Sequence, residues 1–137
     1  MDNFIRKKLK RFSSNYRYEK LEGYYFLKES VIDVIKALQY GPVVTALYVP
    51  KSFKFYSNGI FETNECRGKT KYNVNHSTLI VGYNLDAEIP YFEMLNSWDD
   101  DWGDGGYFKI KLGKLSKSNK GHCLVAGTPF MIIPYLR

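Results

Sequence analysis

Cysteine and histidine are both scarce in this 137-residue chain, with two of each. Their order is Cys66, His76, His122, Cys123, and no pair shows the gap of roughly two to four residues common in zinc sites. His122 and Cys123 are adjacent, and neighbouring side chains seldom turn inward to one ion, so neither a metal nor any other cofactor is expected. Nowhere does the chain reach the roughly 18 consecutive apolar residues of a membrane-crossing helix, which excludes a helical span. The N-terminal MDNFIRKKLKRF has no apolar run of the kind a signal peptide needs. What the chain does have is 45% hydrophobic and 17% aromatic residues, enough for one buried core at the length of a single domain.

Lys and Arg outnumber Asp and Glu by 20 to 14, giving a net charge of +6. The excess is local. Seven basic and two acidic side chains fall in the first 20 residues, which leaves the remaining 117 close to neutral at +1. A nucleic-acid module spreads positive charge over a folded face around a recognition motif, and no such motif is present, so nucleic acid is not an expected partner. Residues 1–17 read as a basic arm and residues 18–137 as the folded domain.

Tyr24 to Leu27 form a short apolar run that reads as a strand. Ser30 is a suitable N-cap, with Asp33 as its acidic partner, and Val31, Val34, Ile35 and Leu38 repeat at the spacing of one helical face. Gly41 and Pro42 close that helix. Val43 to Val49, Thr78 to Tyr83 and Tyr91 to Leu95 read as strands, and Phe108, Ile110 and Leu112 alternate with Lys109 and Lys111 as in a sheet with one wet face. Apolar segments at Leu124 to Ala126 and Phe130 to Ile133 complete the set. One helix followed by short strands without crossover helices predicts an α+β fold built on a curled antiparallel sheet or open barrel.

His76 precedes one of these strands and Asn96 follows another. Antiparallel pairing of the two would bring an imidazole and a carboxamide together, the carboxamide orienting the ring so that its second nitrogen faces a nucleophile. Trp98 and Trp102 lie close enough in sequence to cover that pair, although tryptophans in a small domain also serve simply as core. Asp99, Asp100, Asp101 and Asp104 resemble part of a calcium loop. The glycine and glutamate that such a loop requires are replaced by Asp104 and Ile110, and a solvated acidic turn is the preferred reading. Spacing alone leaves open whether Cys66 and Cys123 are bonded.

Several spaced segments carry a family resemblance: GPVVTALYV at 41–49, FKFYSNGIF at 53–61, NHSTLIVGY at 75–83, LNSWDDDWGDGGYFKI at 95–110 and HCLVAG at 122–127. In their order they resemble the C-terminal half, or right domain, of a papain-family, cathepsin-like cysteine peptidase over roughly Tyr18 to Phe130. The resemblance implies that His76 is the catalytic histidine, Asn96 the residue orienting it, Trp98 the indole shielding the pair and Trp102 one lining the cleft. It also implies a Cys66–Cys123 disulfide, and with it a secretory, lysosomal or vacuolar setting. Neither cysteine falls on the nucleophile. In the family that cysteine, with an upstream oxyanion glutamine, lies in a left domain for which this sequence has no counterpart. The expected function is therefore a peptidase half-domain, inactive alone, whose partner is a left domain or another protein at the equivalent face and whose substrate, once completed, is a polypeptide. The alternative is a non-catalytic homologue acting as a binding or structural module.

Departures from the family pattern fall at three places. Leu95 replaces the usual lysine, Asp99 the glycine after the shielding tryptophan, and Leu124 the glycine that often follows the last cysteine. Asn75-His76-Ser77 also forms a glycosylation sequon, read as a chance occurrence because a glycan there would crowd His76.

Overall fold

The structure, a computed structural model, describes residues 21–134. The basic arm assigned to residues 1–17 lies outside the described residues. Among the described residues, seven strands form one sheet: β1 (Leu21–Phe26), β2 (Val43–Leu47), β3 (Ile60–Phe61), β4 (His76–Asn84), β5 (Tyr91–Leu95), β6 (Tyr107–Lys111) and β7 (Phe130–Pro134). Their order is β1-β7-β2-β4-β5-β6-β3, and every pairing is antiparallel except β3 with β6. The fold is α+β with a mostly antiparallel, open sheet. One rung, between β3 and β6, is parallel. It arises because the chain between β3 and β6 crosses β4 and β5 before returning, so β3 meets β6 in the same direction.

The helix α1 (Val31–Ala37) starts where its cap chemistry places it: the Ser30 hydroxyl oxygen accepts the Asp33 N–H at 3.1 Å and donates to the Asp33 carboxylate at 2.5 Å. Val31 and Val34 are completely buried in the core cluster that also holds Val43 and Leu47 of β2 and the inward residues of the central strands, with Ile35 and Leu38 partly buried against it. Along β5 and β6 the pattern is strictly two-fold, with Phe92, Met94, Phe108 and Ile110 at 0–1% exposure and Lys109 and Lys111 on the outer face. Burying a side chain of this size contributes about 1.5–3 kcal/mol, so this central stack sets the frame for whatever the strand ends carry.

Two segments differ from the sequence expectation. The strand from Val43 ends at Leu47 rather than Val49, because the Tyr48 N–H leaves the ladder to donate to the Cys123 carbonyl at 2.9 Å. Leu124 to Ala126 is a tight turn, not a strand. Cys123 and Leu124 take left-handed φ angles of 53° and 66°, a conformation incompatible with a ladder, and the apolar character of the segment comes from the complete burial of Val125 and Ala126.

Candidate active site

His76 is the first residue of β4 and faces Leu47 of β2, while Asn96 follows the last residue of β5. Leu79 pairs with Leu95, so the beginning of one strand lies beside the end of the other. The result is a hydrogen bond of 2.7 Å between Nε2 of His76 and Oδ1 of Asn96. The Ser97 N–H also donates to that Oδ1, at 2.9 Å. A backbone N–H can only donate, so the carboxamide atom turned to both groups is the oxygen. His76 therefore donates through Nε2, and Nδ1 is directed away from Asn96.

Each partner is fixed from behind. The Asn96 N–H donates to the Gly106 carbonyl at 3.0 Å, and the Thr78 hydroxyl donates to the Leu95 carbonyl at 2.6 Å, two residues from His76 and one from Asn96. Asn75 pins the entry to β4: its Nδ2 donates to the Val49 carbonyl at 2.9 Å and its Oδ1 accepts the Val49 N–H at 2.8 Å. The sequon asparagine therefore uses its carboxamide to clamp backbone, and a glycan on Nδ2 would remove one half of that clamp.

Trp98 places its ring centroid 4.9 Å from that of His76, and Trp102 stands edge-on to Trp98 at 5.1 Å. Neither indole floats. The Trp102 N–H donates to the Lys54 carbonyl at 3.0 Å, and both rings rest on Phe53, which lies 5.5 Å from Trp98, 5.0 Å from Trp102 and 6.4 Å from the imidazole. Phe53 is completely buried and joins these groups to Phe61 and Phe108. The sequence reading assigned it no role. Its only signal was an apolar residue inside FKFYSNGIF, since the short 3-10 turn over Lys51–Phe55 has too few residues to show periodicity.

The four carboxylates do not gather: Asp99, Asp100, Asp101 and Asp104 are all exposed, on a turn closed by the Gly106 N–H donating to the Trp102 carbonyl at 2.8 Å. Cys66 and Cys123 are joined in a disulfide, their Cα atoms 5.0 Å apart, so the chain's two cysteines leave no free thiol. His122 and Cys123 do turn together: the two cysteine sulfurs and one ring nitrogen of His122 lie within 4.8 Å of one another. The left-handed Cys123 backbone folds neighbouring side chains toward one side, which an extended or helical chain would splay.

The sequence model described as "Papain family cysteine protease" matches residues 5–133. This chain belongs to that family. Among papain-family relatives it is 47% identical over 73 residues to the thiol protease aleurain-like protein of Arabidopsis thaliana and 42% identical over 73 residues to the pro-cathepsin H of Medicago truncatula. Those alignments cover 53% of this chain and 20% and 21% of the relatives, so the match spans about a fifth of the relatives' length. The digestive procathepsin L2 proteinase of Tenebrio molitor superposes with a TM-score of 0.71 at 31% identity, covering 91% of this chain and 37% of that one. The bromelain protease of Ananas comosus, solved with the E64 inhibitor, superposes at a TM-score of 0.69 and 24% identity over 85% of this chain and 51% of that one, a likeness of fold.

Proposed function

We propose that this chain supplies the histidine–asparagine wall of a cysteine-peptidase active site and hydrolyses polypeptides only when a thiol from a left domain reaches Nδ1 of His76. The 2.7 Å bond between His76 and Asn96 carries the reading, because it fixes the ring with Nδ1 on the side where a nucleophile would be deprotonated. In that role His76 takes the thiol proton and later gives it to the departing amine, and Asn96 prevents the ring from turning. Trp98 covers the bond from water and so strengthens it. Trp102 lines the cleft. Because Cys66 and Cys123 are consumed by their own bond, no acyl-enzyme forms on this chain alone.

The partner in this reading is the left domain of a papain-like peptidase, or another protein at the equivalent face. Tyr24 and Phe26, 63% and 72% exposed on β1, offer apolar surface that supports a protein partner. A lysosomal, vacuolar or secretory setting fits the disulfide. Asp99 favours a second reading, a non-catalytic homologue that binds a partner through the old cleft, since it places a side chain at φ 66° in the turn that positions Trp98.

Complementation separates the two. Adding the separately expressed left domain of a papain-like peptidase to the full chain is expected to yield hydrolysis of a fluorogenic peptide that disappears with His76→Ala. An epoxide thiol label should leave the unreduced chain unmodified. A complex that forms without turnover would favour the binding module, and labelling of the chain alone that depends on His76 would refute the assignment.

A further inference from the structure

The convergence of Cys66, His122 and Cys123 does not belong to the His76 site. These residues come from two loops 57 positions apart in sequence and border an open cavity of about 320 Å³ that is also lined by Glu62 and Arg67. Much of what holds the cluster does not depend on the S–S bond. The Cys123 carbonyl accepts the Tyr48 N–H at 2.9 Å, and the buried Val125 carbonyl accepts the Thr45 hydroxyl at 2.7 Å. On the opposite loop the Thr63 N–H donates to Nε2 of His122 at 3.1 Å, and the Thr63 hydroxyl caps the turn over Asn64–Cys66.

We propose that reduction of the Cys66–Cys123 bond turns this cluster into a binding site for a borderline-soft divalent ion of the zinc class, held by two thiolates and His122 with water in the fourth position. A tetrahedral zinc site has metal–sulfur distances of about 2.3 Å and metal–nitrogen distances of about 2.0 Å, which puts neighbouring ligand atoms roughly 3.5 Å apart. Starting from two bonded sulfurs and a ring nitrogen within 4.8 Å of them, the sulfurs must part by about 1.5–2 Å and the His122 ring must turn its lone pair from the Thr63 N–H toward them. The reductant is a dithiol: it transfers two electrons and two protons to the S–S bond and itself closes to a cyclic disulfide. The ion then binds as the two new thiols release two protons. A neutral imidazole has one lone pair, which here accepts the Thr63 N–H, so the ion takes Nε2 in place of that bond while Nδ1 keeps its proton. The two loops would thus stay tied in either redox state, by a covalent bond or by a metal.

The test uses the full chain, reduced with a phosphine that does not chelate the ion, and Co²⁺ as the probe with Zn²⁺ as competitor. One equivalent of Co²⁺ should produce a thiolate-to-metal absorption band that Zn²⁺ abolishes, and the unreduced chain should produce none. His122→Ala should weaken Co²⁺ binding by about 10-fold or more, and Cys66→Ser should remove the band. Zn²⁺ should raise the melting temperature of the reduced chain but not of reduced His122→Ala. If reduction unfolds the chain, Zn²⁺ must restore the native circular dichroism. No band in a reduced, folded chain, no refolding by Zn²⁺ of an unfolded one, or undiminished affinity in His122→Ala would each overturn the proposal.

Discussion

Asp99 and Leu124 share the same backbone angle, φ 66°, in the left-handed region that glycine occupies without a Cβ penalty. A residue with a Cβ carries a cost of about 1–2 kcal/mol in this region, less for Asp than for Leu, and introducing glycine returns about 0.5–1 kcal/mol of that as unfolded-chain entropy. Asp99 is exposed, so Asp99→Gly is expected to raise stability by about 0.5 kcal/mol. Leu124 is half-buried and would lose packing as well, which makes Leu124→Gly close to neutral or mildly destabilising. Urea midpoints at unchanged slope measure both; a clear loss in Asp99→Gly would contradict the argument.

Gly103 holds the turn that presents the two indoles, and here the requirement is steric as well as conformational. Its φ is 64°, and a Cβ would meet the Tyr107 carbonyl oxygen at 2.7 Å. The backbone of β6 cannot retreat, because the Tyr107 and Asp104 main chains are bonded to each other at 2.9 and 3.0 Å. Gly103→Ala should therefore cost about 2–3 kcal/mol and loosen Trp102, seen as a red shift and quenching of tryptophan fluorescence in the still-folded protein.

Phe53 is the residue on which the site rests. Truncation to Ala would leave a void touching both tryptophans and should cost about 3–5 kcal/mol, a large share of the stability of a small domain. Phe53→Leu keeps most of the volume, and about 1–1.5 kcal/mol is expected from it. Thermal melts of the two variants give the comparison. Equal losses would mean that the aromatic stack is not a packed unit.

The contrast between Phe53 and His76 shows what a sequence makes legible. Strands β4, β5 and β6 were readable because period-two alternation and β-branched residues reflect burial directly, and their antiparallel pairing was enough to bring His76 to Asn96. The parallel β3–β6 rung depends on where a distant two-residue strand lands, which no local pattern encodes. Leu124 to Ala126 misled for a related reason: apolarity records burial, and the left-handed turn at Cys123 buries those residues without a ladder. The same turn brought His122 and Cys123 together against the usual behaviour of adjacent residues.

The disulfide closes a long loop. For a sequence separation of 57 the chain-entropy estimate is about 4 kcal/mol, so the Cys66→Ser, Cys123→Ser double variant in metal-free buffer should lose roughly that much. Matched urea titrations check it, and a loss under about 1 kcal/mol would place the hold on these loops in the Tyr48 and Thr63 hydrogen bonds instead.

His122 links stability to pH in the oxidised chain. Burial disfavours its charged form and moves it below the ordinary histidine value of 6.5; the Glu62 carboxylate opposes that shift, and Lys111, ion-paired with Glu62, adds to it. Its Nε2 must also stay unprotonated to accept the Thr63 N–H. The folded chain therefore binds fewer protons at this site than the unfolded chain once the pH falls below the ordinary histidine range. Stability is then fully present above about pH 7 and declines as the medium becomes acidic, continuing to do so until the folded site protonates as well. His122→Gln keeps a polar side chain but cannot titrate, so its urea midpoint should fall less than that of the parent between pH 7.5 and pH 5. Differencing the two proteins cancels the groups common to both, and a parent that loses no more than the variant would show that the His122 ring is solvated enough to protonate without cost.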